Sequence, residues 1–214
     1  MLKIQRFACN MLNENCYVAS DETKECIIVD CGAYYPEERQ AIVDYINNNQ
    51  LIPKHLICTH GHLDHNMGND TIFEQYGLKP ECSSGDEEYI VDLKKQGIEM
   101  FGIELNNQFP PVDHFFEENE TINFGTHHLR IIATPGHSRG SVTFIDDEEH
   151  VAFTGDTLFN HSIGRTDFKG GSMFAMINSL RLLAQLPDNT RILPGHGTET
   201  TIGNEVSGNP YMDR

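Results

Sequence analysis

No stretch of this 214-residue chain is apolar for long enough to span a bilayer. Met1 to Ser20, broken by Lys3, Arg6 and several Asn, shows no signal-peptide core. Bases are scarce: 15 Lys plus Arg stand against 32 Asp plus Glu, for a net charge of −17. With no Lys/Arg cluster, that surplus repels nucleic acid and anionic membranes and argues against nucleic-acid processing. The six cysteines, at 9, 16, 26, 31, 58 and 82, include no Cys-x-x-Cys pair. Without an export signal they read as small buried thiols rather than disulfides. A cytoplasmic protein with no membrane or nucleic-acid partner is therefore expected. No linker, low-complexity segment or repeat divides the sequence, so residues 1–214 read as one domain with a core of its own.

What the chain does have is His60-x-His62-x-Asp64-His65, four metal-binding side chains in six residues, directly after the apolar stretch Leu51–Cys58. On an extended backbone positions 60 and 62 point to the same side and can grip one ion. Asp64 and His65 fall where the chain turns into a helix and can reach a second ion beside it. Three further candidates each sit in their own turn: His137 in Thr134-Pro135-Gly136-His137-Ser138, Asp156 in Thr154-Gly155-Asp156-Thr157, and His196 in Pro194-Gly195-His196-Gly197. Imidazole and carboxylate together suit zinc, with iron or manganese admitted by the same donors. Seven ligands for two divalent ions is the inventory of a dinuclear hydrolytic centre acting on a small-molecule substrate.

Strand-like runs are expected at Lys3–Ala8, Cys16–Ala19, Glu25–Asp30 and His55–Thr59, then at Thr121–Phe124, Leu129–Thr134, Ser141–Ile145, His150–Thr154 and Thr190–Leu193. Helical patterns cover Glu37–Asn47, a segment ending at Tyr76 before Gly77, Glu87–Gln96 and Ser172–Gln185. Phe101–Asn119, with Pro110 and Pro111, reads as a long loop. Two β-rich halves, each followed by helices, imply two sheets packed face to face with helices outside. Each proposed ligand ends a strand in a Gly- or Pro-containing turn. Gly136, Gly155 and Gly195 immediately precede ligands, where they permit backbone shapes that larger residues resist.

The seven ligand residues, in this order, resemble the metallo-β-lactamase superfamily over essentially the whole chain. The implied fold is α/β, a four-layer αββα sandwich of two mixed β-sheets with outer helices. Thr134–Ser138 and Gly155–Phe159 look like the hydroxyacylglutathione hydrolases (glyoxalase II) and their short relatives. Ser162–Gly171 is similar to those short proteins and also to persulfide dioxygenases. By this resemblance His60, His62 and His137 hold a first metal, Asp64, His65 and His196 a second, and Asp156 bridges both. A carboxylate at 156, where many true β-lactamases carry cysteine, argues against the antibiotic-degrading branch. Only residues 197–214 follow His196, so the C-terminal helical domain that supplies much of the glutathione pocket in long glyoxalase II enzymes is expected to be missing. Asp167 stands where those enzymes place an aromatic residue.

The expected function is hydrolysis of a thioester, such as a hydroxyacylglutathione, by a metal-bridging hydroxide. Asp156 and Asp64 are the catalytic candidates, Asp64 also orienting the hydroxide or accepting its proton. Arg165 is a candidate for binding a substrate carboxylate, or alternatively a structural partner of Asp167 or another acid. Asp30 is a candidate to orient a ligand histidine, or alternatively a turn-capping carboxylate. The competing reading is a mononuclear iron dioxygenase acting on a persulfide, with one Fe(II) held by His60, His137 and Asp156. The turn Pro194–Gly197 looks more like the hydrolases.

Overall fold

The computed structural model describes residues 1–117 and 119–212. Glu118, inside the stretch expected as a loop, and residues 213 and 214, inside the expected domain, lie outside the described residues. The first half builds β1 (Lys3–Cys9), β2 (Glu14–Ser20), β3 (Glu25–Val29), α1 (Pro36–Asn48), β4 (Ile52–Ile57), α2 (Asn69–Tyr76), β5 (Pro80–Cys82), α3 (Glu87–Ile90), α4 (Leu93–Gln96) and β6 (His114–Phe115). The second half builds β7 (Thr121–Phe124), β8 (His127–Ala133), β9 (Val142–Asp146), β10 (Val151–Gly155), the small hairpin β11 (Leu158–Phe159) and β12 (Ser162–Ile163), α5 (Met173–Leu183), β13 (Arg191–Pro194), β14 (Thr200–Thr201) and α6 (Ile202–Gly208).

Two mixed six-stranded sheets result, in the orders β1-β2-β3-β4-β5-β6 and β14-β13-β10-β9-β8-β7. Alternation along the strands decides what each face meets. From β2, Tyr17 and Ala19 point inward with Ile27, Val29 and Ile57, against Phe124, Leu129, Phe144 and Phe153 of the second sheet. Val18, Ile28 and Leu56 point outward onto Ile42 and Ile46 of α1 and Ile72 of α2. On the far side, Ile145, Ala152 and Ile192 receive Met176, Leu180 and Leu183 of α5. The layers are therefore αββα. Phe124, Phe144 and Phe153 are among the largest fully buried side chains. Each contributes on the order of 2–3 kcal/mol by burial alone.

All six cysteines are free and buried, and burial pushes the Cys26 and Cys82 thiols up to about 12. Among the described residues no helix is long and apolar enough to cross a membrane. Three expected elements differ. Glu87–Gln96 is two short helices rather than one, because the Asp92 side chain accepts from the Lys95 backbone N–H and starts a new helix there. The expected loop contains β6, which pairs in parallel with β5. β4 begins at Ile52, earlier than expected. It takes in Pro53, and the pairing with β3 shifts register there, between Cys26 and Ile27.

Direction places the ligand loops together. β8 runs antiparallel to β9, β9 antiparallel to β10, and β10 parallel to β13. The C-terminal ends of β8, β10 and β13 thus share one edge, and His137, Asp156 and His196 follow those ends.

Candidate metal centre

The chain leaves β4 at Ile57 and crosses Thr59 to His60 and His62. It then closes a single 3-10 turn over Leu63–His65 that carries Asp64 and His65. His60, His62 and His137 bring one ligand nitrogen each within 4.8 Å of one another, and a carboxylate oxygen of Asp64 with one nitrogen each of His65 and His196 lie as close together. Asp156 lies between the two groups. Its Oδ2 is 3.5 Å from His137 Nε2 and its Oδ1 is 3.4 Å from His65 Nε2. The structure thus brings together all seven residues singled out in the sequence.

Hydrogen bonds on the far side of each ring fix which nitrogen faces the centre. Thr59 Oγ1 donates to Asp30 Oδ2 at 2.6 Å and so accepts from His60 Nδ1 at 3.1 Å, leaving His60 Nε2 bare. His65 Nδ1 donates to the same Asp30 oxygen at 2.9 Å. His137 Nδ1 donates to the Arg165 carbonyl at 2.8 Å, and His196 Nδ1 to the Leu12 carbonyl at 3.1 Å. Four imidazoles therefore turn Nε2 inward, the orientation that metal-ligating histidines are given by their outer partners. His62 presents Nδ1 instead, 2.8 Å from His137 Nε2.

This arrangement fits cations. His60 Nε2, His65 Nε2 and Asp156 Oδ1 are buried with no hydrogen-bond partner, a state costly enough that it calls for an unseen partner. Two donors about 2 Å from one tetrahedral ion stand roughly 3.3 Å apart. The donors of the second group match, at 3.2 Å for His196 Nε2 to Asp64 Oδ2 and 3.6 Å for His65 Nε2 to Asp64 Oδ2, while His62 Nδ1 and His137 Nε2 of the first stand closer, at 2.8 Å.

The electrostatics divide the donors. Burial, then His137, pushes His62 down to about 4, and burial with His65 pushes His60 well below its ordinary value, so both are neutral donors at neutral pH. Burial opposes charge on Asp156, but the neighbouring His65, His137 and His196 outweigh it and hold the carboxyl well below its ordinary range. His65 is likewise resisted by burial and driven well upward by Asp156 and Asp64.

Two glycines are required for different reasons. Gly155 has φ +48°, and a Cβ there would also meet Thr59 Oγ1 at 2.2 Å. Gly195 has ordinary torsions, contrary to the expectation of a special backbone shape. Its constraint is space, since a Cβ would stand 2.4 Å from Asp156 Oδ1 and 2.6 Å from His65 Cε1.

Asp30 sits where expected, with one oxygen accepting from the Thr59 backbone N–H at 2.7 Å and the other serving Thr59 and His65. The Arg165 guanidinium is exposed and paired with Asp167, while its backbone carbonyl orients His137. Two contributors escaped the sequence reading. Asp86 accepts from Gly61 N and Ser138 Oγ through one oxygen and from Gly140 N through the other, tying the His60–His62 loop to the His137 loop. Glu14 is fully buried with both oxygens unpartnered, 3.9 Å from His65 Nδ1. Burial pushes its carboxyl well above the ordinary range, against the pull of His65.

Fold and donor set together define a metallohydrolase sandwich, and the chain belongs to the metallo-beta-lactamase superfamily, whose family model matches residues 10–196. It is 32% identical to the hydroxyacylglutathione hydrolase GloC of Haemophilus influenzae over 213 residues, 99% of either chain. Among solved structures it is similar to the B3 metallo-beta-lactamase BLEG-1, with a TM-score of 0.89 at 29% identity over 98% of this chain and 99% of that one. It is also similar to TTHA1623 in a di-iron-bound form, with a TM-score of 0.85 at 30% identity over 97% and 100% of the two chains.

Proposed function

We propose that the protein hydrolyses a small thioester at a centre holding two divalent cations, zinc being the expected metal. The observation that carries this reading is Asp156: a buried carboxylate between the two ligand groups, with Oδ1 toward His65 and Oδ2 toward His137 and His196. The di-iron form of TTHA1623 and the hydroxyacylglutathione hydrolase activity in the name of GloC support it. Two cations held there would supply an acidified water and polarise the substrate carbonyl.

The chain's own residues do the rest. Asp64, slightly open to the cavity, orients the attacking water and receives its proton. Leu12, Phe101, Phe159 and Phe168 line the cavity over the ligands and limit the access of bulk water. Arg165 O and Leu12 O keep His137 and His196 from rotating. In the overall reaction water adds to the carbonyl carbon, the C–S bond breaks, and the sulfur leaves as thiolate, giving a carboxylate and a thiol. A thiolate leaves more readily than an amine, so the site needs no separate strong acid beside the sulfur.

The test is a thioester panel on protein of measured metal content, with a chromogenic cephalosporin and a glutathione persulfide as comparators. Turnover of thioesters with two equivalents of metal is expected, and Asp156→Ala is expected to lose bound metal and turnover together. Full turnover by Asp156→Ala would remove the bridging role. One equivalent of iron with rapid oxygen uptake on the persulfide would replace hydrolysis with dioxygenation.

A further inference from the structure

We infer that the site selects thioesters whose thiol portion is neutral or cationic over the anionic glutathione tail, and that Asp167 imposes this choice. The inference rests on the thioester reading above and concerns the substrate half that leaves.

The cavity over the ligands has a volume of about 610 Å³ and is walled by Leu12, Met100, Phe101, Phe159 and Phe168, with Glu99 and Arg165 at its rim. A second cavity of about 370 Å³ adjoins it through His62, Glu99, Met100 and Phe168, and carries Glu88, Asp92, Lys95 and Lys169. The leaving thiol has these two spaces to occupy. Every cation lining them already faces an acid of its own. Arg165 uses Nε and Nη2 against the two Asp167 oxygens, both at 2.7 Å, and lays its guanidinium over Phe168 at 4.1 Å. Lys169 Nζ meets Glu88 at 2.5 Å, and Lys95 Nζ stands 3.8 Å from Glu99. Asp92 is paired with no cation among the described residues and serves the α4 backbone. Arg139 lies outside the lining of both cavities.

Glutathione carries two carboxylates and one ammonium. To seat either carboxylate on Arg165 it must displace Asp167 from the Nε/Nη2 edge, or take the Nη1/Nη2 edge of a guanidinium whose charge Asp167 already offsets. It must do so beside Glu99 and Glu88 on a chain of net charge −17. Such exposed pairs add little to folding stability. They still offset the rim cations, so that bound metal at the cavity floor is left as the attraction for an anion, and a like charge at the rim acts as a repulsive element against the wrong partner. The walls that remain are aromatic and aliphatic, suited to a compact neutral thiol, and aromatic faces with nearby acids suit a cation.

The experiment compares one acyl group, lactoyl, on three thiols: glutathione, neutral N-acetylcysteamine and cationic thiocholine. Metal-loaded wild type and Asp167→Asn are assayed at low and high salt. Wild type is expected to show the lowest kcat/KM on the glutathione thioester. Asp167→Asn, which removes the charge and one of the two acceptors facing Arg165, is expected to raise the glutathione-to-neutral ratio of kcat/KM about fivefold, the most that one exposed ion pair is worth. The gain should appear in KM rather than kcat and shrink at high salt. If wild type prefers the glutathione thioester, or the ratio is the same in Asp167→Asn, the inference is overturned while thioester hydrolysis stands. If fully metallated protein cleaves none of the three, the thioester reading itself falls and the inference goes with it.

Discussion

A histidine binds metal with one nitrogen only if something holds the other, and here the holders are few. Asp30 serves His65 directly and His60 through Thr59. Asp30→Asn keeps the volume but removes the charge and half the accepting capacity, so both rings lose their fixed tautomer. Metal affinity is expected to fall about 10- to 100-fold, the usual effect of losing such a partner. Competition with a chromophoric chelator measures it, with circular dichroism to check that the fold persists. An affinity equal to wild type would leave Asp30 as no more than a turn carboxylate. The ligands themselves were legible in the sequence because their chemistry is written in side-chain identity and the turns around them are local. Asp30 was legible as a candidate from its place before Cys31-Gly32, at the end of a strand. Glu14 was not, because nothing near it in sequence says that it lies under His65.

Between elements, the link that matters is Asp86. It stands in the turn before α3 and binds backbone N–H groups of two ligand loops that no strand joins. Asp86→Ala leaves Gly61 N, Gly140 N and Ser138 Oγ without that acceptor. A loss of about 2–4 kcal/mol is expected on the scale of unsatisfied buried groups bonded to a charge. Urea unfolding measures it, and the metal content of the purified variant should drop in parallel. An unchanged midpoint would mean that the loops hold themselves. The long elements were readable in advance: strand-like runs gave β1, β3, β7 and β9, and the apolar face gave α1 and α5. β5, β6 and β14 are only two or three residues long, too short to show a period. α6 has Gly203 and Gly208 in seven residues and poor intrinsic propensity. Its Thr201 cap, accepting from Asn204 N, makes it visible only in three dimensions.

Across the whole molecule, the ligand cluster joins the two sheets at one edge. Asp64 and His65 come from the first half of the chain, His137, Asp156 and His196 from the second. Cations bound there stabilise the folded state by mass action, by about 4 kcal/mol when free metal exceeds Kd a thousandfold. For a chain of this length each kcal/mol shifts Tm by roughly 2–4 °C. Exhaustive chelation is therefore expected to lower Tm by about 10 °C, and readdition of zinc to restore it. Superimposable melts before and after chelation would mean that the cluster holds no ion that matters to the fold. The sandwich was legible from the order of strands and helices. The order of strands within each sheet was not, since pairing such as β10 with β13 joins segments forty residues apart.

The cradle and the doorway are made of different pieces of chain. Strand ends and their glycines carry the seven donors, and Gly195 tolerates not one added carbon. Leu12, the Glu99–Phe101 turn and the Arg165–Lys169 segment form the rim, and none of their side chains is a donor. Evolution or design could therefore exchange the rim's side chains and admit a new leaving group, while its backbone carbonyls go on holding His137 and His196 and the part that activates water stays as it is.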